Sequence, residues 1–132
     1  MENATTHYAV LPARYETYQR LASSNLSIIA QRDNIHVVLG RLPSAPTGSD
    51  KTSAGFVLED RPGILKEVMQ PLSDSGLSLL KIESRPVNKE NTQFFFYIEV
   101  NGHINDIGSD LEKALAVAKS YRILGSYGKS SG

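Results

Sequence analysis

The stretch Phe94-Phe95-Phe96-Tyr97-Ile98-Glu99-Val100 alternates along an extended chain, and this alternation restricts the fold more than any other feature. Phe94, Phe96, Ile98 and Val100 share one side, and Phe95, Tyr97 and Glu99 the other. A strand with one wholly apolar side needs a covering layer, so a sheet backed by helices is required. The preceding run, Leu77 to Arg85, carries a related pattern. Leu80 and Ile82 are assigned to the apolar face, and Lys81 and Glu83 to the other. The polar Pro86-Val87-Asn88-Lys89-Glu90-Asn91 between the two runs reads as a hairpin connection.

Two helical stripes supply the cover. Ile64, Leu65, Val68 and Leu72 recur at helical spacing, with Asp60 as the expected N-cap, Pro62 in the first turn and Gly76 after the end. Pro71 removes a backbone donor late in this helix, so a kink or early end is expected there. Ile107, Leu111, Ala114, Leu115 and Ala118 form the second stripe, starting near Asp106 or Ser109. With Ala54-Gly55-Phe56-Val57-Leu58 as a first strand and Arg122-Ile123-Leu124 as a last one, the order is βαββαβ. This is an α+β, ferredoxin-like two-layer sandwich. The front of the chain reads as a short α/β appendage: a strand from Tyr8 to Leu11, a helix from Ala13 to Ala22, and strands near Leu26 to Ala30 and Ile35 to Gly40. Residues 43–51, rich in Pro, Ser, Thr and Gly, have the composition of a linker.

Charge and composition remove several functions. Fourteen Lys and Arg balance fourteen Asp and Glu, so no field favours nucleic acid or an anionic membrane. The chain has no cysteine, and its three histidines (His7, His36 and His103) are scattered, so neither a metal nor another cofactor is expected. No apolar run is long enough to span a bilayer, and a cytoplasmic location is expected. RNA-recognition domains share the βαββαβ order, but Gln93 to Ile98 lacks their basic and glycine positions. Phe94 and Phe96 are therefore read as core residues.

Two motifs point elsewhere. Asp60-Arg61-Pro62-Gly63-Ile64-Leu65 follows the first strand, and Lys81-Ile82-Glu83-Ser84-Arg85-Pro86 ends the second about twenty residues later. With the closing Leu124-Gly125-Ser126-Tyr127, they resemble the ACT domain that senses phenylalanine in prephenate dehydratases, where the motifs read Gly-Ala-Leu-Val and Glu-Ser-Arg-Pro. The resemblance covers residues 52–127, leaving 128–132 as a polar tail. It implies an allosteric module for L-phenylalanine or a related amino acid, with the ligand between two subunits of a homodimer. The expected ligand-binding set is Asp60, Pro62, Gly63, Ile64, Leu65, Glu83, Ser84, Arg85 and Pro86. Gly63 would let the backbone approach the ligand, and the first helix amides would receive its carboxylate. Leu65 would wall the side-chain pocket, Ser84 would hydrogen-bond the ligand, Glu83 would orient the motif, and Arg85 would reach the interface. Taken singly, the Pro62-Gly63 pair is ordinary helix-start geometry, and Glu83 with Arg85 an ordinary solvated pair. A ligand-free dimerisation scaffold is the alternative. Ile64 and Lys66 depart from the family's Ala and Val, which narrows or re-tunes the pocket.

Residues 1–42 resemble a truncated end of the dehydratase catalytic domain. In Asn34-Ile35-His36-Val37-Val38-Leu39-Gly40-Arg41, Ile35 and His36 stand where that family has an active-site Thr and Arg. Ile offers no hydrogen bond, and neutral His cannot clamp a carboxylate as Arg does. No catalytic residue is therefore assigned to this chain, which can be read as a fragment or relic of such a lyase, with a catalytic partner on another chain allowed for. Conversion of prephenate to phenylpyruvate by the purified chain is expected at background level. Turnover that disappears on His36→Ala would overturn that expectation.

Overall fold

A computed structural model describes residues 9–33, 35–41 and 44–129. The predicted strand start at Tyr8, together with Asn34, Leu42, Pro43 and the last three residues, lies outside them. Ten elements follow in chain order: β1 (Val10–Pro12), α1 (Tyr15–Leu21), β2 (Ser27–Arg32), β3 (His36–Gly40), β4 (Asp50–Glu59), α2 (Ile64–Asp74), β5 (Leu79–Pro86), β6 (Gln93–Asn101), α3 (Ile104–Leu115) and β7 (Ser120–Gly128). From β4 onward the order is the expected βαββαβ. Its four strands pair antiparallel in the order β5-β6-β4-β7, and the front part forms a separate three-stranded sheet, β1-β3-β2. No described helix is long and apolar enough to cross a membrane.

The apolar face of the larger sheet lies under α2 and α3. Ala54, Phe56, Leu58, Ile98 and Val100 meet Val68, Leu72, Leu111, Ala114 and Leu115 there, all buried. The α2 caps differ from expectation. The helix begins at Ile64 with Gly63 in the N-cap position at φ 82°, and Asp60 and Pro62 lie in the turn before it. Pro71 sits inside the last turn, and the helix runs three residues beyond it to Asp74. The first turn of α3 starts two residues earlier than read, capped by His103, whose Nδ1 accepts from the amide of Asn105 at 3.1 Å.

The second sheet face is not open. Phe95 and Tyr97, on the face away from α2 and α3, are 3% and 0% exposed because α1 lies across them. Tyr18 stacks on Tyr97 with ring centroids 3.5 Å apart, and Tyr15 meets Phe95 edge-on at 5.7 Å. Beneath this aromatic layer runs a polar chain. The Tyr97 hydroxyl donates to Glu99 Oε2 at 2.6 Å, and Lys51 Nζ donates to Glu99 Oε1 at 2.8 Å. Ser53 Oγ bonds both the Tyr97 and Tyr127 hydroxyls. The buried acid is thus neutralised by one lysine and oriented by a tyrosine, the condition under which a buried charge is tolerated.

The segment ahead of β4 is tied down along its described length. Ser44 Oγ donates to the Ile29 carbonyl, His103 Nε2 donates to the Ser44 carbonyl, and Asp50 accepts from the Thr47 hydroxyl and the Thr47 and Gly48 amides. Burial pushes the Asp50 carboxyl up, but these three donors prevail and hold it below the usual carboxylate range. The two sheets touch most closely where Gly125, at φ 149°, lies against the Ile28 backbone. A Cβ there would stand 2.1 Å from the Ile28 carbonyl oxygen. Gly128 and Lys129, assigned to a tail, instead pair with Asp50 and Ser49.

Leu80 and Ile82 depart most from the sequence reading. They were assigned to the core, yet they are 47% and 40% exposed. The strand that carries them is an edge, beyond the reach of the two helices. Between Leu79 and Lys81 the register also shifts, leaving Leu80 as the extra residue of a bulge.

The buried tyrosines make an alkaline prediction. Burial raises the hydroxyl of Tyr18 to about 12 and holds those of Tyr97 and Tyr127 well above the usual tyrosine range, with Glu99 adding to all three. Unfolded tyrosine ionises near pH 10. Above that pH the folded state holds more protons, so stability is intact below about pH 10 and falls as pH rises through the folded values. Urea unfolding at about pH 8 and about pH 11 should show this loss. The Tyr18 hydroxyl is buried without a hydrogen-bond partner among the described residues. Tyr18→Phe should therefore be neutral or stabilising by up to about 1 kcal/mol, and should reduce the alkaline loss.

Candidate functional site

A cleft of about 380 Å³ opens between the turn that leads into α2 and the end of β5. Its floor and walls are apolar: Leu58, Phe94, Phe96, Ile64 and Leu65. Its rim carries Glu59, Asp60, Arg61, Lys66 and the Ser84 side chain. The volume is at the lower end for small-molecule sites, and the mixture of apolar walls with a few polar groups is what such sites require.

Pairing explains the arrangement. Ser84 lies opposite Phe96 and Pro86 opposite Phe94, whereas Glu83 lies opposite Tyr97 and Arg85 opposite Phe95. Successive strand residues point to opposite faces, so only alternate members of the Glu-Ser-Arg-Pro run can face the cleft. Of the sequence-predicted set, the structure brings Asp60, Gly63, Ile64, Leu65 and Ser84 to the cleft. It does not bring Glu83 and Arg85. Glu83 pairs with Lys81 at 3.2 Å, and the Arg85 guanidinium lies over the Tyr15 ring, 5.0 Å from its centroid. Pro62 and Pro86 are exposed beside the cleft without lining it.

The turn is built to present donors. Ile64 N–H bonds the Arg61 carbonyl and Glu67 N–H bonds the Gly63 carbonyl, while the amides of Leu65 and Lys66 show no protein acceptor among the described residues. Free amides at a helix start carry partial positive charge and suit a carboxylate. Arg61 is committed elsewhere. It grips Glu67 through two bonds, at 2.8 and 3.0 Å, which holds the Glu67 carboxyl below its ordinary range and clips the turn to the first helical turn. Lys66 takes no part in the ion pairs among the described residues, so its ammonium stands at the rim without a salt-bridge partner there. The Asp60 amide is tied to the Thr92 carbonyl at 2.8 Å, fixing the turn to the neighbouring hairpin.

Sequence reasoning missed the cleft floor. Phe94 and Phe96 were read only as core, although they share strand parity with Ser84 and the alternation would have placed them beside it. The Arg61–Glu67 clip, six residues apart across a turn, left no periodic signal.

Comparison with known proteins gives the same region a family context. The family model that matches is the ACT domain, over residues 52–117. The bifunctional chorismate mutase/prephenate dehydratase of Aquifex aeolicus (strain VF5) is 32% identical over 122 residues, 89% of this chain and 33% of that protein. The prephenate dehydratase of Arthrobacter aurescens, solved in complex with L-Phe, superposes with a TM-score of 0.59 at 34% identity, over 72% of this chain and 32% of that one. The prephenate dehydratase of Streptococcus mutans gives 0.70 at 25% identity, over 91% and 73%. The chain spans a third or less of the length of the curated relatives it matches first.

Gly63 affords a direct test of the turn. An added Cβ would meet nothing within 4 Å, so any cost comes from the left-handed backbone alone. Gly63→Ala should lower stability by about 1 kcal/mol with an unchanged fold, read by urea unfolding and circular dichroism.

Proposed function

For a chain that belongs to the ACT domain family, we propose that the cleft between the Gly63 turn and Ser84 binds L-phenylalanine or a related amino acid, and that binding regulates an enzyme of phenylalanine biosynthesis. The observation that carries this reading is the meeting of free Leu65 and Lys66 amides with an aromatic floor at one cleft. An amino acid needs its carboxylate matched while its side chain leaves water, and the helix start and the two phenylalanines meet those needs separately. Asp60 and Glu59 at the rim are acceptors for the ammonium group. That a relative was solved with L-Phe supports the choice of ligand.

A homodimer belongs to this reading. The cleft opens beside the edge strand β5, where Leu79, Leu80 and Ile82 are 39%, 47% and 40% exposed. A second copy laid on this edge would bury that apolar strip and close the mouth of the cleft. The ligand would then favour one arrangement of the dimer over another, which is what allosteric control requires. A cytoplasmic location is part of the proposal.

A second reading, that the chain is a fragment or relic of a dehydratase, is favoured by one observation. The similarity to the Aquifex aeolicus enzyme spans 122 residues, well beyond the 52–117 of the family model. The two readings are compatible if regulation has outlived the chemistry.

L-Phe should raise the thermal midpoint in proportion to the logarithm of its excess over Kd, and D-Phe should not. Ser84→Trp, which fills the cleft from an exposed strand position, should abolish the shift without unfolding the chain. Sedimentation should show a dimer that Leu80→Asp weakens. A set of proteinogenic amino acids that leaves the midpoint unmoved would favour the scaffold.

A further inference from the structure

On the opposite face of the same sheet lies a second cleft, of about 300 Å³, between the end of α1 and the strand ends of β4, β6 and β7. Its floor is the Phe95 ring, which lies across Gly55. A Cβ at that glycine would stand 2.7 Å from Cζ of Phe95, so the absence of a side chain is what leaves room for the tip of the ring. Val57 and Val87 continue the apolar wall.

The charge lining is one-sided. Lys119 and Arg122 border the cleft and no aspartate or glutamate does, although acids and bases are equal in number over the whole chain. Neither cation enters a described ion pair. Arg122 is half-buried, and its one protein hydrogen bond among the described residues runs from Nη1 to the Leu21 carbonyl at 3.2 Å. Burial alone lowers its basicity, with no carboxylate to oppose the effect. A guanidinium has five N–H donors in a fixed fork, so Arg122 retains donors for a planar anion. Gln19, Gln93 and Ser120 add neutral polar groups at the margin.

We propose that this cleft is a second ligand site, taking a small monocarboxylate with an aryl or branched alkyl body. Its carboxylate would sit between Arg122 and Lys119, and its apolar body would lie on Phe95 against Val57 and Val87. The two cations call for an anion, the two valines and the tip of the Phe95 ring call for an apolar body, and the modest volume limits its size. The site is separate from the cleft at Ser84, being on the other sheet face, and does not depend on the amino-acid reading of that cleft.

Amide chemical shifts of the labelled full chain, titrated with phenylacetate, acetate and inorganic phosphate, test this directly. Phenylacetate should give saturable shifts at Gly55, Gln93, Phe95, Ser120 and Arg122, with affinity at least about tenfold above that of acetate or phosphate. Arg122→Gln and, separately, the exposed Lys119→Glu should each weaken phenylacetate about tenfold or more, and Ser84→Trp should leave it unchanged. If Arg122→Gln fails to fold, Lys119→Glu carries the comparison. Shifts confined to the Ile64 and Ser84 region, shifts that do not saturate, equal affinity for phosphate, or full affinity in a folded Lys119→Glu chain would each overturn the proposal.

Discussion

Burial of β6 on both faces is the constraint from which the rest follows. One face supplies Phe96, Ile98 and Val100 to the helical layer, and the other supplies Phe95, Tyr97 and Glu99 to the front segment. A strand in that position cannot exchange polar for apolar residues on either side without cost. The aromatic stack of Tyr18 on Tyr97 therefore does for the second face what α2 and α3 do for the first. The buried Glu99 is tolerable only because Lys51 and the Tyr97 hydroxyl meet it within the same layer. Loss of either partner would leave a charge in a dry place, a far larger penalty than the loss of an exposed ion pair such as Arg14–Glu16.

The cleft at Ser84 inherits its shape from the same strand. Phe94 and Phe96 floor it because β6 continues past the end of the helical cover, and α2 begins with a glycine-based turn directly above them. The turn is held by few contacts, the Arg61–Glu67 ion pair and the bond from the Asp60 amide to the Thr92 carbonyl. This makes it the softer wall, since such exposed contacts are individually weak.

The order of the rear elements was legible because each buried face leaves a period in the sequence, two for strands and near four for helices. Val68, Leu72, Leu111 and Leu115 lie where that period placed them. What the period cannot show is which strand lies at an edge. Leu80 and Ile82 look like core residues in isolation and are exposed because no helix reaches them. The docking of α1 on Phe95 and Tyr97 was hidden for a related reason: it joins residues some eighty positions apart, across a Pro- and Gly-rich segment that reads as a spacer. At the cleft, the motifs point to Gly63 and Ser84, which both line it. Separating Ser84 from Glu83 and Arg85 needed only the strand pleat, applied in the correct register.

That register is set by one residue. Leu79 pairs with Val100 and Lys81 with Glu99, so Leu80 is surplus to the ladder. Both ends of the strand are anchored, by the Asn101 amide to the Ser78 carbonyl and by the Val87 amide to the Gln93 carbonyl. A chain shorter by one residue at position 80 would honour both anchors, because Leu79 with Val100 and Lys81 with Glu99 would then be consecutive pairs of a regular ladder. Were Leu80 instead taken into the ladder opposite Glu99 with the first anchor kept, Ser84 would come opposite Phe95 and turn toward the front segment while Glu83 and Arg85 entered the cleft, exchanging a neutral hydroxyl for two opposite charges. The identity of the groups that line the cleft thus depends on a bulge at a residue outside it, and flattening that bulge would change the chemistry of the cleft more than most substitutions within it.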